Sequence, residues 1–350
     1  MLANYLSYSG NEVILVVDQG GKMNVTDFPP HANLKILSWP NPRPVKIQDY
    51  WFFLQLCKSF KPGVVISQFS SNTIALLVSN FFPRTSFFVY WHTMQDQLIT
   101  DLKTSHFVYK LLMFRKSLVF RMSNFRFLTN SNALRNEISN LFPFYKKDIL
   151  VLNYLMPDPA SFVQIKSRDE RSYSISFVSR LDKSKGHRGF IKALAVVLND
   201  FPGLKLKIVG SGPQLSQLKE LVSDLSINES VVFLGECDYQ TVLSTMATSL
   251  IHVSNSKQEA FGMVNVEAIS LGTPILANRV GGIKDILQPS LNGEFIDVTN
   301  PEDLRVKIKK ILSHDNWTKY SESSRKIFLS RFCANSGNFE QQVQLLFKTL

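Results

Sequence analysis

The segment from Glu259 to Glu267, EAFGMVNVE, holds two glutamates in a setting that suits the binding of a phosphorylated sugar. A Phe-Gly turn lies between them, and a helix is predicted to begin near Val264. Backbone N–H groups at a helix start bind phosphate oxygens or sugar hydroxyls, because they have no partner within the helix. Glu267 would lie about one turn into this helix, where its carboxylate can accept hydrogen bonds from two vicinal hydroxyls, such as those of a ribose. A solvated helix residue is the alternative for either glutamate, but the apolar neighbours of Glu267 make an idle carboxylate costly there.

Arg180 and Lys185 follow a predicted strand that ends near Val178, in a loop that leads into a helix. Two cations at the carboxyl end of a strand can neutralise a diphosphate and stabilise the charge that develops as it leaves. Taken alone, these cations are more typical of a solvated loop in a basic protein. Gly210, in the turn of KIVGSGP after another predicted strand, lets the backbone approach a ligand, although a sharp turn before a helix explains it better.

The net charge of +11 is concentrated in one stretch, since residues 103–147 contain nine Lys or Arg and a single acid, Glu137. Within it, residues 106–127 interleave cations with large apolar side chains. A helix of this kind can lie on an anionic membrane, with its apolar face buried and its cations attracted to lipid phosphates. The predicted membrane-contact residues are Lys110, Arg115, Lys116 and Arg121. An ordinary half-buried helix with solvated cations is the alternative, and nucleic acid is less favoured because no recognised nucleic-acid motif accompanies the charge.

Short apolar runs alternate with longer helical stretches along the whole chain, which is typical of parallel sheets covered by helices. The predicted strands are 12–17, 34–37, 64–67, 86–90, 126–129, 149–152, 173–178, 204–209, 231–234, 250–253, 274–277 and 294–296. The predicted helices are 50–59, 71–82, 101–122, 131–141, 186–199, 214–225, 239–246, 264–271, 282–287, 301–314 and 338–350. The pattern predicts an α/β protein of two Rossmann-like domains, at residues 1–155 and 172–330, joined by a linker at 156–171 and followed by a C-terminal segment at 331–350.

Composition narrows the class of protein. The 350 residues are 45% hydrophobic and 19% charged, enough apolar material for two cores and unlike a disordered chain. Three widely spaced cysteines indicate neither a disulfide framework nor a zinc site, so a reducing cytoplasm is expected. We expect neither a signal peptide nor a transmembrane helix, because the start lacks a cleavable signal pattern and no run approaches 18 apolar residues.

Five segments in order resemble the C-terminal domain of retaining GT-B glycosyltransferases of the large group 1 (GT4-type) family. These segments are SRLDKSKG, KIVGSGP, VVFLG, QEAFGMVNVEAISLGTPILANRVGGIKDIL and NGEFI. The resemblance is strong over residues 173–296 and diffuse before them. It implies two Rossmann-like domains that face each other across a cleft, with the acceptor domain first and the donor domain second. The implied donor is a nucleotide-diphosphate sugar, and neither a metal nor another cofactor is implied.

The resemblance also implies roles for single residues. Arg180 and Lys185 would hold the donor diphosphate, Glu259 the hexose and Glu267 the ribose. His92, after the strand FFVYW, would contact the donor sugar near the reacting carbon, although a strand-end histidine with a structural partner is the alternative. The implied catalytic residues are Glu259, His92, Arg180 and Lys185. The implied donor-binding residues are Arg180, Lys185, Gly210, Glu259, Ala260, Phe261, Gly262, Met263, Val264 and Glu267.

The activity implied is transfer of a hexose, with retention of configuration, to a glycan or lipid-linked acceptor in cell-surface polysaccharide or lipopolysaccharide synthesis. The implied location is the cytoplasmic face of the inner membrane. A nucleotide-sugar epimerase and a non-catalytic partner protein are the alternatives. The family begins with a strand and a glycine-rich loop, whereas residues 1–8 here resemble the end of the first helix. We therefore expect the first domain to lack its first strand and the natural start to lie upstream. The final helix is expected to pack back on the first domain, and a helix that simply caps its own domain is the alternative.

Overall fold

A computed structural model describes residues 2–18, 32–95, 99, 105–145, 149–334 and 336–347. The chain forms two compact units. The first contains the described residues of Met1–Asn130, Leu134–Met156 and Phe339–Leu350, and the second contains Ser131–Ala133 and Pro157–Asn338.

The first unit is built from parallel strands and the helices that connect them. Its elements are α1 Leu2–Tyr8, β1 Val13–Val17, β2 Leu34–Ser38, α2 Ile47–Phe60, β3 Val64–Gln68, α3 Asn72–Ser79, β4 Ser86–Trp91, α4 His106–Met122, β5 Arg126–Thr129, α5 Asn132–Leu141 and β6 Leu150–Val151. The strands form two separate parallel sheets, β1–β2 and β3–β4–β5–β6. The first unit thus has a sheet in two pieces.

The second unit has a single sheet of six parallel strands. Its elements are β7 Ser172–Val178, α6 His187–Val197, β8 Lys205–Val209, α7 Leu215–Asp224, β9 Val231–Gly235, α8 Tyr239–Ala247, β10 Ser249–Ser254, α9 Met263–Ser270, β11 Ile275–Ala277, α10 Ile283–Ile286, β12 Gly293–Phe295, α11 Pro301–Leu312 and α12 His314–Arg331. The strand order is β12–β11–β10–β7–β8–β9, as in a Rossmann-like sheet. All six residues of β10 are buried, and its Leu250, Ile251 and Val253 belong to the hydrophobic core of this unit.

The last helix, α13 Gly337–Phe347, belongs largely to the first unit. Its Val343 and Leu346 are buried in a core cluster with Phe88, Tyr90 and Leu128.

All twelve predicted strands are confirmed, each within one residue at either end. The predicted helices are confirmed within three residues where the structure describes them; 101–104 and 348–350 lie outside the described residues. Helix α12 was not predicted, because its exposed faces are strongly polar. Its inner face carries Trp317, Tyr320 and Phe328, and the indole N–H of Trp317 donates to Leu250 O at 2.7 Å.

Arg171, at the end of the predicted linker, is packed into the second unit. Its guanidinium donates to Leu271 O and Thr273 Oγ1, both at 2.7 Å, and lies 4.9 Å from the ring centre of Trp317. Burial lowers the pKa of Arg171 to about 10, so its charge is retained at neutral pH. The start of this unit is therefore fixed by a buried cation rather than by a loose connection.

Candidate active site

The candidate site of the second unit begins in the loop after β7. Asp182 caps a short 3₁₀ turn by accepting from Ser184 N at 2.8 Å, and this turn carries Lys185. The guanidinium of Arg180 lies 3.2 Å from the Asp182 carboxylate, and the Arg180 side chain is 69% exposed. The Asp182 carboxylate thus holds the Arg180 side chain in this loop, and a bound anion could replace Asp182 as its partner.

Lys185 and Glu259 are brought together although 74 residues separate them. Lys185 Nζ lies 2.7 Å from Glu259 Oε2, and the two side chains are 21% and 20% exposed. Ser256 Oγ donates to the same carboxylate oxygen at 3.2 Å. A half-buried ion pair of this kind presents a cation and a carboxylate side by side, which suits a ligand with both phosphate and hydroxyl groups.

Glycines bring the surrounding loops within contact distance. Gly186 has φ +72°, and a Cβ there would lie 2.1 Å from Asn255 O. A Cβ on Gly282 would lie 2.3 Å from Ala260 O. These positions exclude any side chain, because backbone atoms cannot retreat as the tip of a flexible side chain can. The glycines thereby fix the loops that carry Lys185 and Glu259.

Helix α9 begins directly after this turn. Gly262 is its N-cap, with φ +96°, and Asn265 N donates to Gly262 O at 2.9 Å. The N–H groups of Met263 and Val264, both half-buried, therefore begin the helix without intrahelical partners. Together with the helix dipole they favour an anionic or hydroxylated ligand.

Ala260 and Phe261 are both buried, unlike Met263 and Val264, which are half-buried. The Phe261 ring packs edge-on against Phe332 with ring centres 5.9 Å apart. Only the backbone of this pair is available for the donor contacts predicted for them.

Glu267 lies one turn into α9 and is half-buried. Burial raises the pKa of Glu267 to about 7, and a hydrogen bond from the Tyr239 hydroxyl limits the rise. Tyr239 begins α8 and is 50% exposed, and burial together with the nearby Glu267 carboxylate raises its own pKa to about 12. Sequence reasoning missed Tyr239, because nothing in its local context marks a partner 28 residues away; the Asp238 cap before it marks only a helix start.

Gly210 is explained by packing. It has φ +130°, and a Cβ there would lie 2.0 Å from Ser179 O. Position 210, in the turn after β8, therefore requires glycine whether or not a ligand binds. The predicted ligand contact of Gly210 stays a prediction.

His92 lies in the first unit, directly after β4, in an aromatic cluster. Its ring stacks on Tyr154 and Phe69 with ring centres 5.6 and 5.2 Å apart. Burial lowers the pKa of His92 to about 4, so the ring is neutral at physiological pH. Its Nδ1 shares a hydrogen bond with the Tyr154 hydroxyl, and Tyr154 also accepts one from Asn130. The tautomer of His92 decides which of the two groups donates, and His92 Nε2 is buried without a hydrogen-bond partner among the described residues.

Helix α4, the predicted membrane helix, has a buried face and an exposed apolar face. Tyr109 and Phe120 are buried. The exposed face repeats every three or four residues and consists of Phe107, Leu111, Phe114, Leu118 and Met122, between 47% and 77% exposed. This spacing places all five on one side of the helix.

The four predicted contact cations of α4 are not equivalent. Lys116 Nζ lies 5.2 Å from the ring centre of Trp91, and Arg121 lies 4.6 Å from that of Phe144. Both distances are within the range of a cation–π interaction. By helical position Lys110, Arg115 and Arg121 flank the apolar face, whereas Lys116 lies opposite it.

Two features are absent from the described residues. No helix there is long and apolar enough to cross a membrane. In the same part of the chain no group of three or more His, Cys, Asp or Glu side chains is arranged to hold a metal ion.

Part of the chain matches the model of a known family. Residues 160–327 match the model of the family "Glycosyl transferases group 1". The N-acetyl-alpha-D-glucosaminyl L-malate synthase of Bacillus anthracis is 30% identical over 190 residues, which cover 51% of this chain and 49% of that protein. The chain thus spans about half the length of the curated relatives it matches.

Two solved structures share the fold of the whole chain. A glycosyltransferase from Rickettsia africae superimposes with a TM-score of 0.75 at 18% identity, covering 99% of this chain and 92% of that one. Anabaena HepE, solved in complex with UDP and glucose, gives a TM-score of 0.72 at 15% identity, covering 100% and 95%.

Proposed function

We propose that this chain, whose residues 160–327 match the model of the glycosyl transferases group 1 family, transfers a hexose from a nucleotide-diphosphate sugar to a hydroxyl of a glycan or lipid-linked acceptor. We propose that the donor is held in the second unit, that configuration is retained and that no metal is needed. The role fits cell-surface polysaccharide or lipopolysaccharide synthesis.

One observation carries the proposal: the Lys185–Glu259 ion pair at 2.7 Å lies in the same loop cluster as the glycine-capped start of α9 and Glu267 one turn further on. A nucleotide sugar presents a diphosphate between two sets of hydroxyls. The cation matches the diphosphate, Glu259 the hydroxyls of the hexose, and Glu267 the two hydroxyls of the ribose. The UDP and glucose bound in the HepE structure make a uridine diphosphate sugar the first donor to test.

The reaction breaks the bond between the anomeric carbon and the diphosphate oxygen and forms a bond from that carbon to the acceptor oxygen. The acceptor proton passes to the leaving phosphate on the same face, so the configuration is retained without a protein nucleophile. The protein then contributes positioning and stabilisation of the negative charge on the leaving diphosphate. Lys185 and Arg180 are the cations proposed for that charge, and His92 stays a predicted contact of the sugar.

We propose further that α4 lies on an anionic membrane, which favours a lipid-linked acceptor. Five large apolar side chains on one exposed helix face are unusual for a surface that meets only water. Lys110, Arg115 and Arg121 flank that face, where they can reach lipid phosphates while the apolar side chains enter the interface.

The test is a transfer assay with UDP-, GDP-, ADP- and CMP-hexoses, membrane lipid extract as acceptor, and NMR of the product to read the anomeric configuration. The proposal expects one donor class to yield a product with retained configuration in the presence of EDTA. A change of the sugar nucleotide itself without acceptor would identify an epimerase. Donor binding without any turnover would indicate a non-catalytic partner protein.

A further inference from the structure

Helix α12 packs one face of its C-terminal half against the elements that carry the candidate donor site. Ser321, Arg325 and Phe328 of this helix, with Phe332 directly after it, recur every three or four residues and so share one face. Phe328 and Phe332 are fully buried. A Cβ on Gly272, the second residue after α9, would lie 2.7 Å from Ser321 Oγ. Helix α12 therefore lies directly against the turn that ends α9.

Two guanidinium groups close the C-terminal end of α9. The last four carbonyl groups of a helix have no partner inside it, and the negative end of the helix dipole lies there. Arg325 Nη1 donates to Ser270 O at 2.6 Å, and Arg171 donates to the next carbonyl, Leu271 O, at 2.7 Å. Cations at this end stabilise the helix, which has only eight residues.

The Arg325 side chain is itself held in place. Its Nη2 donates to the Asp158 carboxylate, and its guanidinium lies 5.4 Å from the ring centre of Phe328. Asp158 in turn caps the 3₁₀ turn Pro159–Ser161 by accepting from Ala160 N at 3.0 Å. The side chain of Arg325 is 20% exposed. It thus presents a cation in a fixed position to the end of α9.

A second arginine of α12 supports the neighbouring helix. Arg331 donates to Asp285 O, in the short helix α10, at 2.8 Å. At the other end of α10, Gly282 N donates to Glu259 O at 2.8 Å. The two arginines of α12 therefore bind the carbonyl ends of α9 and α10, and the opposite ends of both helices lie at the candidate site.

The carbonyl end of α9 is close to the groups proposed to bind the nucleotide. Eight residues of helix extend about 12 Å. Glu267 lies one turn before Ser270, and Ser270 Oγ donates to Glu267 O at 2.6 Å. Hydrogen bonds have a distance range of only about 0.5 Å, so a small shift or fraying of α9 is enough to misplace the Glu267 carboxylate and the N–H groups of Met263 and Val264.

We propose that Arg325 is a positioning residue of the donor site. It holds the C-terminal end of α9 and thereby places Glu267 and the first N–H groups of the helix for the nucleotide. Arg325 acts through the helix and not by touching the ligand, and Asp158 keeps its guanidinium in place. This inference rests on the proposed function, since the ligand is the nucleotide part of the donor.

The test compares Arg325→Gln with Arg168→Gln. Arg168 is a matched control, because its Nη2 donates to Leu312 O, the last residue of α11, at 2.9 Å and its side chain is 27% exposed. Helix α11 carries none of the proposed donor-binding residues. Each variant loses one charged hydrogen bond to a helix end. Arg325→Lys is the rescue variant, since it keeps the cation but not the planar fork.

Nucleotide affinity is the first measurement. In Arg325→Gln the dissociation constant of UDP is expected to rise about 10-fold or more, the usual effect of losing a charged hydrogen bond, and in Arg168→Gln less than about twofold. Arg325→Lys is expected to recover most of the affinity. A purely structural loss would instead appear as an equal drop in unfolding free energy in the two Gln variants, with equal affinities for UDP.

Amide hydrogen exchange of the unliganded proteins is the second measurement. Exchange at Glu267 and Ala268, within α9, is expected to rise about tenfold in Arg325→Gln while exchange at Ile308 in α11 changes little, because local opening follows local stability. Arg168→Gln is expected to show the reverse pattern.

Several results would overturn the inference: equal UDP affinity in the two Gln variants, unchanged exchange in α9, or no recovery in Arg325→Lys. If the unaltered protein binds none of UDP, GDP, ADP and CMP, the proposed function fails, and exchange in α9 alone decides whether Arg325 positions this helix. Should Arg325→Gln fail to fold, Asp158→Asn is compared with Asp169→Asn, which removes the carboxylate 3.7 Å from Arg168. Weaker UDP binding in Asp158→Asn than in Asp169→Asn supports the inference, and equal binding overturns it.

Discussion

At the scale of single residues, the protonation state of Glu267 decides how well a ribose can be held. An ionised carboxylate accepts hydrogen bonds from both vicinal hydroxyls, whereas a protonated one has given up part of its acceptor capacity. The pKa of about 7 therefore places this residue at the midpoint of its titration near neutral pH.

Donor binding should strengthen as the pH rises through about 7, because the raised pKa leaves half of Glu267 protonated there. Below that pH the dissociation constant of UDP rises up to tenfold per pH unit, since binding must first remove a proton. In Glu267→Gln the affinity is lower and no longer follows this titration. In Tyr239→Phe the pKa of Glu267 rises further, so the midpoint moves to higher pH. Calorimetric titrations between pH 5.5 and 8.5 would show this, and an unshifted midpoint in Tyr239→Phe would contradict it.

The same shift has a consequence for stability. Because the pKa of Glu267 in the folded protein lies above its ordinary value of 4.5, protonation of this carboxyl stabilises the folded state. This stabilisation is fully present below pH 4.5 and is lost as the pH rises through about 7. We expect the free protein to lose stability over that window, and Glu267→Gln to lose less. Denaturation curves of the two proteins at pH 5 and pH 8 measure this loss. An equal loss of unfolding free energy in both proteins would rule out the contribution of Glu267.

Lys185 should contribute more to donor binding than its neighbour of equal charge. Lys185→Met is expected to weaken nucleotide-sugar binding by about 10- to 100-fold, the usual effect of losing a hydrogen bond to a charged group at about 1.5–3 kcal/mol. Lys183→Met is the control, because Lys183 lies in the same 3₁₀ turn and is exposed. An equal loss of nucleotide-sugar affinity in both variants would show that Lys185 acts only through the overall positive charge.

At the scale of elements, the site depends on turns in which a backbone lies against a backbone. Lys185, Glu259 and the start of α9 are held by loops whose glycines leave no room for a side chain. The short distance between Lys185 and Glu259 is thus a property of the turns as much as of the two side chains.

Gly186→Ala tests this dependence, because its Cβ would lie 2.1 Å from Asn255 O. Gly203→Ala is the matched control, since Gly203 also has a positive φ, +83°, but nothing lies within 4 Å of a Cβ there. The control is expected to lose about 1–2 kcal/mol of unfolding free energy from the backbone conformation alone. Gly186→Ala is expected to lose more than the control and also to bind donor more weakly. Denaturation and UDP titration measure both effects, and equal losses would show that the close approach is not needed.

Helix α4 carries a prediction at the same scale. The double variant Lys110→Glu, Arg115→Glu is expected to lose flotation with anionic liposomes, since each cation near such a surface contributes about 1 kcal/mol. Lys35→Glu, Lys58→Glu changes the net charge equally at exposed positions outside α4 and serves as control. Retained flotation in the α4 variant, or an equal loss in both, would remove the support for membrane contact through this helix.

At the scale of the whole molecule, the alternation of strands and helices was predictable because continuous apolar runs mark buried parallel strands. The twelve strands follow from such runs. Helix α12 could not be found in this way, since Trp317, Tyr320 and Phe328 are dispersed among charged residues. The family motifs assign Lys185 and Glu259 to the same donor, but neither their ion pair nor the contact of Tyr239 with Glu267 has a local signal in the sequence. Contacts between distant segments depend on how the sheet folds and not on spacing along the chain.

The most direct test of the central claim, that the second unit binds a nucleotide-diphosphate sugar, is a crystal structure of the protein with UDP and a UDP-hexose. The account predicts that both ribose hydroxyls lie within about 2.5–3.2 Å of the Glu267 carboxylate and that the diphosphate contacts Lys185 and the first N–H groups of α9. A nucleotide bound away from α9, or a ribose that leaves Glu267 paired only with Tyr239, would contradict it.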